Sequence, residues 1–209
     1  MRSAHLTVFV VDDDASVRDS MALMLGLEGY RTSVFADAEA FLAAWKEDWA
    51  GCVIADVRLP GRSGVELQAA MRKRGIALPF VIITAHGDVA TARAAFRSQA
   101  VDFLEKPFDN MQLRAAIETA FALEERRIRR DDGRRRDLAK LERLTARERE
   151  VLHQAARGLH AKEIAAALGI SPRTVEVHKT RIMEKLGVRN VAELVRFAIA
   201  AIPNDADGT

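Results

Sequence analysis

Residues 6–14 read LTVFVVDDD, a six-residue run of β-branched and aliphatic side chains, Leu6–Val11, that stops on three consecutive aspartates, Asp12, Asp13 and Asp14. A run this short fits a buried strand, not a membrane span or the apolar core of a signal peptide. Four more such runs follow at Arg31–Phe35, Cys52–Ala55, Pro79–Ile83 and Val101–Leu104. Between them the apolar residues recur at helical spacing, as in Val17, Met21, Met24 and Leu25, or Phe41, Leu42 and Trp45. Asp14, Asp37, Asp88 and Asp109 stand where N-caps belong, and Gly29 and Gly75 stand just past last turns. Five strand–helix units within about 120 residues predict a parallel sheet covered by helices on both faces.

The pattern then changes. Residues 124–143, EERRIRRDDGRRRDLAKLER, carry charge of both signs and few apolar residues. They read as a helical linker that extends the fifth helix until Gly133 breaks it, serving either as a plain solvated spacer or as a contact with a partner. From Leu144 onward the strand signals vanish. Thr145 and Glu148 form a capping box ahead of a helix that ends near Gly158. A short helix over Ala161–Leu168 closes at Gly169, and Ser171 with Pro172 opens a third that runs to Gly187. Asn190 and Glu193 open a fourth, with Leu194, Phe197, Ala198 and Ile202 spaced to pack. The reading is α/β plus all-α: residues 1–123, a linker over 124–143, a four-helix unit over 144–203 and a tail over 204–209.

Composition agrees with two small folded modules. The 209 residues are 49% hydrophobic and 30% charged, with a net charge of +2. That balance hides an asymmetry: residues 1–123 hold 13 Lys and Arg against 16 Asp and Glu, and residues 124–209 hold 19 against 14. The second half is the side suited to a polyanion. A single cysteine, Cys52, excludes an internal disulfide and a cysteine-rich metal site, as suits a reducing cytoplasm.

In a five-stranded sheet of order 2-1-3-4-5, ligands sit past the carboxyl ends of strands one and three, where the strand order reverses. Asp12 and Asp13 end strand one and Asp56 ends strand three. Carboxylates converging there repel unless a cation intervenes, and Mg²⁺, which keeps several waters and takes few carboxylates, suits the place. Thr84 ends strand four and Lys106 follows strand five. The set is suited to a phosphoryl group: Asp56 as nucleophile, Mg²⁺ and Lys106 against the oxygens, Thr84 hydrogen-bonding to them.

The strings VFVVDDD, IADVRLPGRSG, VIITAHGD and VDFLEKPF resemble the receiver domain of two-component response regulators, a flavodoxin-like (βα)5 fold. The resemblance implies Asp56 as phosphoacceptor, with Asp12, Asp13, Asp56 and the main-chain carbonyl of Arg58 around Mg²⁺. It further implies Thr84 and Lys106 as phosphoryl contacts, Phe103 as a rotating switch, and a cis bond at Lys106–Pro107. Phosphorylation would draw Thr84 inward and let Phe103 turn in, changing the face formed by helix Asp88–Ser98 and strand Val101–Leu104. That face is the expected dimer contact.

In the last module, the short Gly169–Ile170–Ser171 connection joins two helices as a helix-turn-helix does. On the wheel of the third helix Val175, Ile182 and Leu186 turn inward, while Arg173, Glu176, Val177, Thr180 and Glu184 form an outward stripe. Val177 suits a thymine methyl, Glu176 a cytosine amino group, and Thr180 a base edge or phosphate. Lys162, Arg173, Lys179, Arg181 and Lys185 are the expected phosphate contacts. His178 reads as a packing residue. The string LTAREREVLHQAARGLHAKEIAAALGISPRTVEVHKTRIMEKLGV resembles the LuxR-type, or NarL/FixJ-type, DNA-binding domain, and TAHGD with SPRTVEVH resembles its FixJ/StyR-like branch.

Together these features predict a transcription regulator, not an enzyme, controlled by phosphorylation. The implied partners are a sensor histidine kinase, double-stranded DNA, RNA polymerase and, once phosphorylated, a second copy of the chain, all without a membrane. A different class also uses an aspartyl phosphate at such a rim, the metal-dependent phosphotransferases and phosphatases. Against it, the sequence offers no inserted cap and no second Gly-rich cradle for an organic substrate. RNA is a poorer partner than duplex DNA, because the third helix has no aromatic to stack on unpaired bases.

Overall fold

The computed structural model describes residues 5–85 and 100–201. Helix Asp88–Ser98 and the packing of Ile202, both expected above, lie outside the described residues. The chain divides into two compact units, Met1–Ile128 and Arg129–Thr209.

In the first unit, β1 (Thr7–Val11), β2 (Arg31–Phe35), β3 (Gly51–Asp56), β4 (Phe80–Thr84) and β5 (Asp102–Glu105) form one sheet of order β2-β1-β3-β4-β5. Every pairing is parallel. The two-residue period of the strands sorts the core into two layers. Val8, Val10, Cys52, Ile54, Val81 and Ile83 face α1 (Ala15–Leu27) and α4 (Asn110–Glu142). Phe9, Val11, Val53, Ala55, Phe80 and Ile82 face α2 (Ala38–Ala44) and α3 (Gly64–Lys73). All six residues of β3 are buried, as a central strand covered on both sides requires. Burial also pushes the Cys52 thiol well above its ordinary pKa, so it packs as a small apolar side chain.

The expected break at Gly133 is corrected by the structure: α4 runs unbroken from Asn110 to Glu142. A glycine inside a helix costs about 1 kcal/mol relative to alanine, but arginines, good helix formers, flank it at positions 129, 130 and 134–136. The two ends of the charged stretch are also anchored. Ile128 packs on the core of the first unit and Leu141 on the core of the second. A Cβ on Gly133 meets nothing within 4 Å. Gly133→Ala is therefore expected to stabilise the helix by about 0.5–1 kcal/mol, read as a rise in the urea midpoint followed by circular dichroism. A fall would show that the backbone there needs glycine.

The second unit packs α5 (Ala146–Ala156), α6 (Ala161–Leu168), α7 (Pro172–Leu186) and α8 (Val191–Ala201) around Leu152, Ile164, Val175, Ile182, Leu186 and Leu194, each fully buried. Thr145 and Glu148 form the capping box of α5. Glu148 is itself buried, and its Oε2 accepts from the Lys185 Nζ at 2.6 Å and the Thr145 N–H at 2.8 Å. Burial pulls this carboxyl's pKa upward, but these hydrogen bonds outweigh it and leave the pKa below its ordinary value of 4.5. The unfolded chain thus takes up the proton first. The stability that Glu148 contributes is complete above pH about 4.5 and is lost as pH falls through the depressed folded value. Glu148→Gln is expected to cost roughly 1.5–3 kcal/mol at pH 7 and much less at pH 3. Urea midpoints at the two pH values check this, and an equal cost at both would contradict the assignment.

Candidate functional site

The acidic rim is built from the carboxyl ends of the central strands. Asp12 follows β1 directly and continues the row of Val8 and Val10, and Asp56 continues the row of Cys52 and Ile54, so both point to the same side of the sheet. Asp12 is 1% exposed and Asp56 8%. Buried carboxylates need partners, and Lys106 supplies one ammonium to both: its Nζ donates to Asp12 Oδ2 at 2.8 Å and to Asp56 Oδ2 at 2.6 Å. Burial draws the Lys106 pKa down, but the hydrogen bonds and charges of Asp12 and Asp56 outweigh it and hold the pKa above its ordinary value. The remaining carboxylate oxygens take backbone donors. Asp12 Oδ1 accepts from the Asp14 N–H at 3.0 Å and Asp56 Oδ1 from the Arg58 N–H at 2.9 Å.

The loops hold this arrangement in place. The Lys106 N–H donates to the Thr84 carbonyl at 2.7 Å, tying the lysine to the end of β4, and the Lys106–Pro107 peptide bond is cis. Thr84 is buried at 1% exposure, and Phe103, opposite Ile82 in the ladder, is half-buried against the α2–α3 side of the core. Asp13 is exposed. Asp14 caps α1 through the Ser16 N–H, a hydrogen bond that holds its carboxyl below the usual range.

Two supporting residues were not singled out from the sequence. The Arg18 Nη1 donates to the Asp12 carbonyl at 2.7 Å. Gly64 begins α3 so close to the end of β3 that a Cβ would stand 2.3 Å from the Asp56 carbonyl oxygen. The sequence places Arg18 on the helix after the aspartates, which is a weak signal, and it gives no sign of the Gly64 approach.

The donor chemistry of the rim, carboxylate oxygens of Asp12, Asp13 and Asp56 with a neighbouring carbonyl, fits a small hard cation such as Mg²⁺. In this geometry the Lys106 ammonium bridges two of those carboxylates. Among the described residues no three His, Cys, Asp or Glu side chains are gathered into a metal clasp.

In the second unit, Gly169 ends α6 in the left-handed conformation, at φ 66°, and Ser171 and Pro172 open α7. Val175, Ile182 and Leu186 are buried, and Arg173, Glu176, Thr180, Arg181 and Glu184 are exposed, as is Lys162 of α6. Val177 is 43% exposed, a large apolar side chain on a polar face. The Thr180 hydroxyl donates to the Glu176 carbonyl at 3.1 Å.

Two of the expected phosphate contacts are paired with carboxylates of their own unit. Lys179 is 7% exposed and its Nζ donates to Glu176 Oε1 at 3.2 Å. Positions 175, 179, 182 and 186 share one helical face, so the Lys179 stem lies in the core and only its head reaches out, to the glutamate. Lys185 is held by Glu148, as described above. His178 is half-buried and its Nδ1 is enclosed without a hydrogen-bond partner among the described residues.

Comparison with known proteins accords with both halves. Residues 8–118 match the family of response regulator receiver domains, and residues 142–198 match the bacterial regulatory proteins of the luxR family. The chain is 41% identical over 194 residues to the transcriptional regulatory protein FixJ of Bradyrhizobium diazoefficiens, covering 93% of this chain and 95% of that one. It is 39% identical over 201 residues to the transcriptional regulatory protein TdiR of Thauera aromatica, covering 96% and 88%. The solved structure of the response regulator StyR superposes with a TM-score of 0.80 at 40% identity, covering 92% of this chain and 98% of that one. The chain belongs to the two-component response regulators that join a receiver domain to a LuxR-type DNA-binding domain. No helix among the described residues is long and apolar enough to cross a membrane.

Proposed function

We propose that this chain is a transcription regulator switched by phosphorylation of Asp56, with the receiver over residues 1–123, a helical linker over 124–143 and the DNA-binding unit over 144–203. The observation that carries the reading is the bridge from Lys106 to both Asp12 and Asp56 at 2.8 and 2.6 Å. A carboxylate beside a positive charge at the strand ends, the position where parallel sheets of this order take ligands, supports Asp56 as the nucleophile. A sensor histidine kinase is the natural donor. An Asp56 carboxylate oxygen attacks the phosphorus of a phosphohistidine, the phosphorus–nitrogen bond breaks with its electron pair going to the imidazole, and an acyl phosphate forms.

Asp12, Asp13, Asp56 and the Arg58 carbonyl would hold Mg²⁺, which when bound supplies charge neutralisation for the phosphoryl oxygens. Lys106 shifts from the Asp56 oxygen to the new phosphoryl oxygens, and the Thr84 hydroxyl donates to them. Phe103 then turns inward, and the altered outer face pairs two copies of the chain. Paired α7 helices read the major groove of two half-sites, with Glu176, Val177 and Thr180 on bases and Lys162, Arg173 and Arg181 on phosphates. RNA polymerase is the downstream partner, and the cytoplasm the compartment.

Footprinting on genomic DNA fragments with and without acetyl phosphate tests this. Paired protections about one helical turn apart, ~34–36 Å, should appear or strengthen with the phosphodonor. Protection indifferent to it would separate Asp56 from DNA binding and sink the proposal.

A further inference from the structure

A cavity of about 350 Å³ opens at the amino ends of β4 and β5, the end of the sheet remote from Asp56. Its wall is apolar: Met71, Ile76, Leu78 and Phe80 are buried, and Leu123 of α4, 44% exposed, forms a lip. A volume of this size is in the range that takes small molecules. Two polar features distinguish it from a packing defect. Gln68 of α3 lines the cavity and is only 5% exposed, and its Oε1 is enclosed with no hydrogen-bond partner among the described residues. A buried acceptor left unpaired costs free energy that a ligand donor would recover. The second feature is Glu124, fully buried at the same cavity and clasped by Arg127 Nε and Nη2, each at 2.7 Å. That fork neutralises the carboxylate, so the buried part of the lining carries no net charge; Arg72, also on the lining, is exposed.

We propose that this cavity binds an uncharged, mainly apolar small molecule carrying one N–H or O–H donor, which pairs with Gln68 Oε1. The terminal amide torsion of glutamine is broad and two-fold in energy, so the carboxamide turns to meet a donor while its stem stays in place. The site is separate from the phosphoacceptor rim and does not rest on the reading given to Asp56.

The test uses the full chain with ¹³C-labelled methionine methyl groups and two probes of matched shape: indole, which has an N–H, and benzofuran, which has none. Of the six methionines, Met71 lies on the cavity wall, whereas Met21 and Met24 belong to the opposite face of the sheet. The Met71 signal is assigned by Met71→Leu. Indole is expected to move the Met71 methyl saturably and leave Met21 and Met24 in place, and benzofuran to bind about fivefold more weakly. Gln68→Leu, which keeps the bulk and removes the acceptor, should abolish that difference. The probe pair reads the same hydrogen bond in the unaltered chain, so the test survives a variant that folds poorly. No saturable shift at Met71, equal binding of both probes, or a shift spread alike over the exposed Met111 would overturn the proposal. Equal binding would mean that the bound molecule makes no hydrogen bond to Gln68.

Discussion

Asp56→Asn is expected to abolish acyl-phosphate formation. Incubated with acetyl phosphate and Mg²⁺, the wild-type chain should gain one hydroxylamine-labile phosphoryl group by intact mass, and the variant none. The reason is chemical: an amide oxygen is a poor nucleophile and leaves no stable acyl phosphate, whereas the carboxylate attacks directly. Folding is expected to persist. Asparagine keeps an oxygen for the Arg58 N–H, and Lys106 keeps its hydrogen bond to the 1%-exposed Asp12. Losing one of two carboxylates around a single ammonium also relieves their mutual repulsion, which offsets much of the lost attraction. A variant that still acquired phosphate at wild-type stoichiometry would move the acceptor elsewhere, with Asp12 and Asp13 next in line.

Why this rim is readable from sequence, while its supports are not, follows from the physics of strands. Residues at strand ends are fixed by strand identity and sheet order alone, so the placement of Asp12, Asp56, Thr84 and Lys106 follows once five apolar runs are recognised. Whether a side chain can turn and touch another depends on atoms far apart in sequence. The Lys106–Asp12 contact spans 94 positions, and no local pattern encodes it. The same holds for Gly64, whose need for a missing Cβ arises from the approach of the Asp56 backbone. Local rules served well where they act locally: Gly169, Ser171 and Pro172 mark the helix boundaries in the second unit because capping is decided within a turn. Gly133 shows the limit of such a rule. A local penalty of about 1 kcal/mol is outweighed by flanking helix formers and by packing of Ile128 and Leu141 at the two ends.

Lys179 shares a face with Val175, Ile182 and Leu186 by its spacing, yet as a lysine it reads as a solvent-facing charge; its 7% exposure follows from the face, not the residue type. Its actual position changes what its substitution should do. With its ammonium on Glu176 Oε1 at 3.2 Å, Lys179 is placed to orient the carboxylate proposed to meet a base rather than to neutralise a phosphate. Lys179→Met, which retains the buried stem, should therefore leave the salt slope of DNA binding unchanged while weakening discrimination at the base pair that Glu176 is proposed to read. Glu176→Ala should lose that discrimination altogether, on the order of 1–3 kcal/mol, or roughly 5- to 150-fold between the preferred and the substituted base pair. Arg173→Gln makes the contrast. It is exposed with no role in the core, and its removal should weaken specific and random duplexes alike and lower the salt slope by about 1. Titrations of each variant against the footprinted site, a site altered at one base pair, and random duplex, at several salt concentrations, separate the three roles. A salt slope that falls in Lys179→Met as it does in Arg173→Gln would return Lys179 to the phosphate backbone and show that the helix turns on binding DNA.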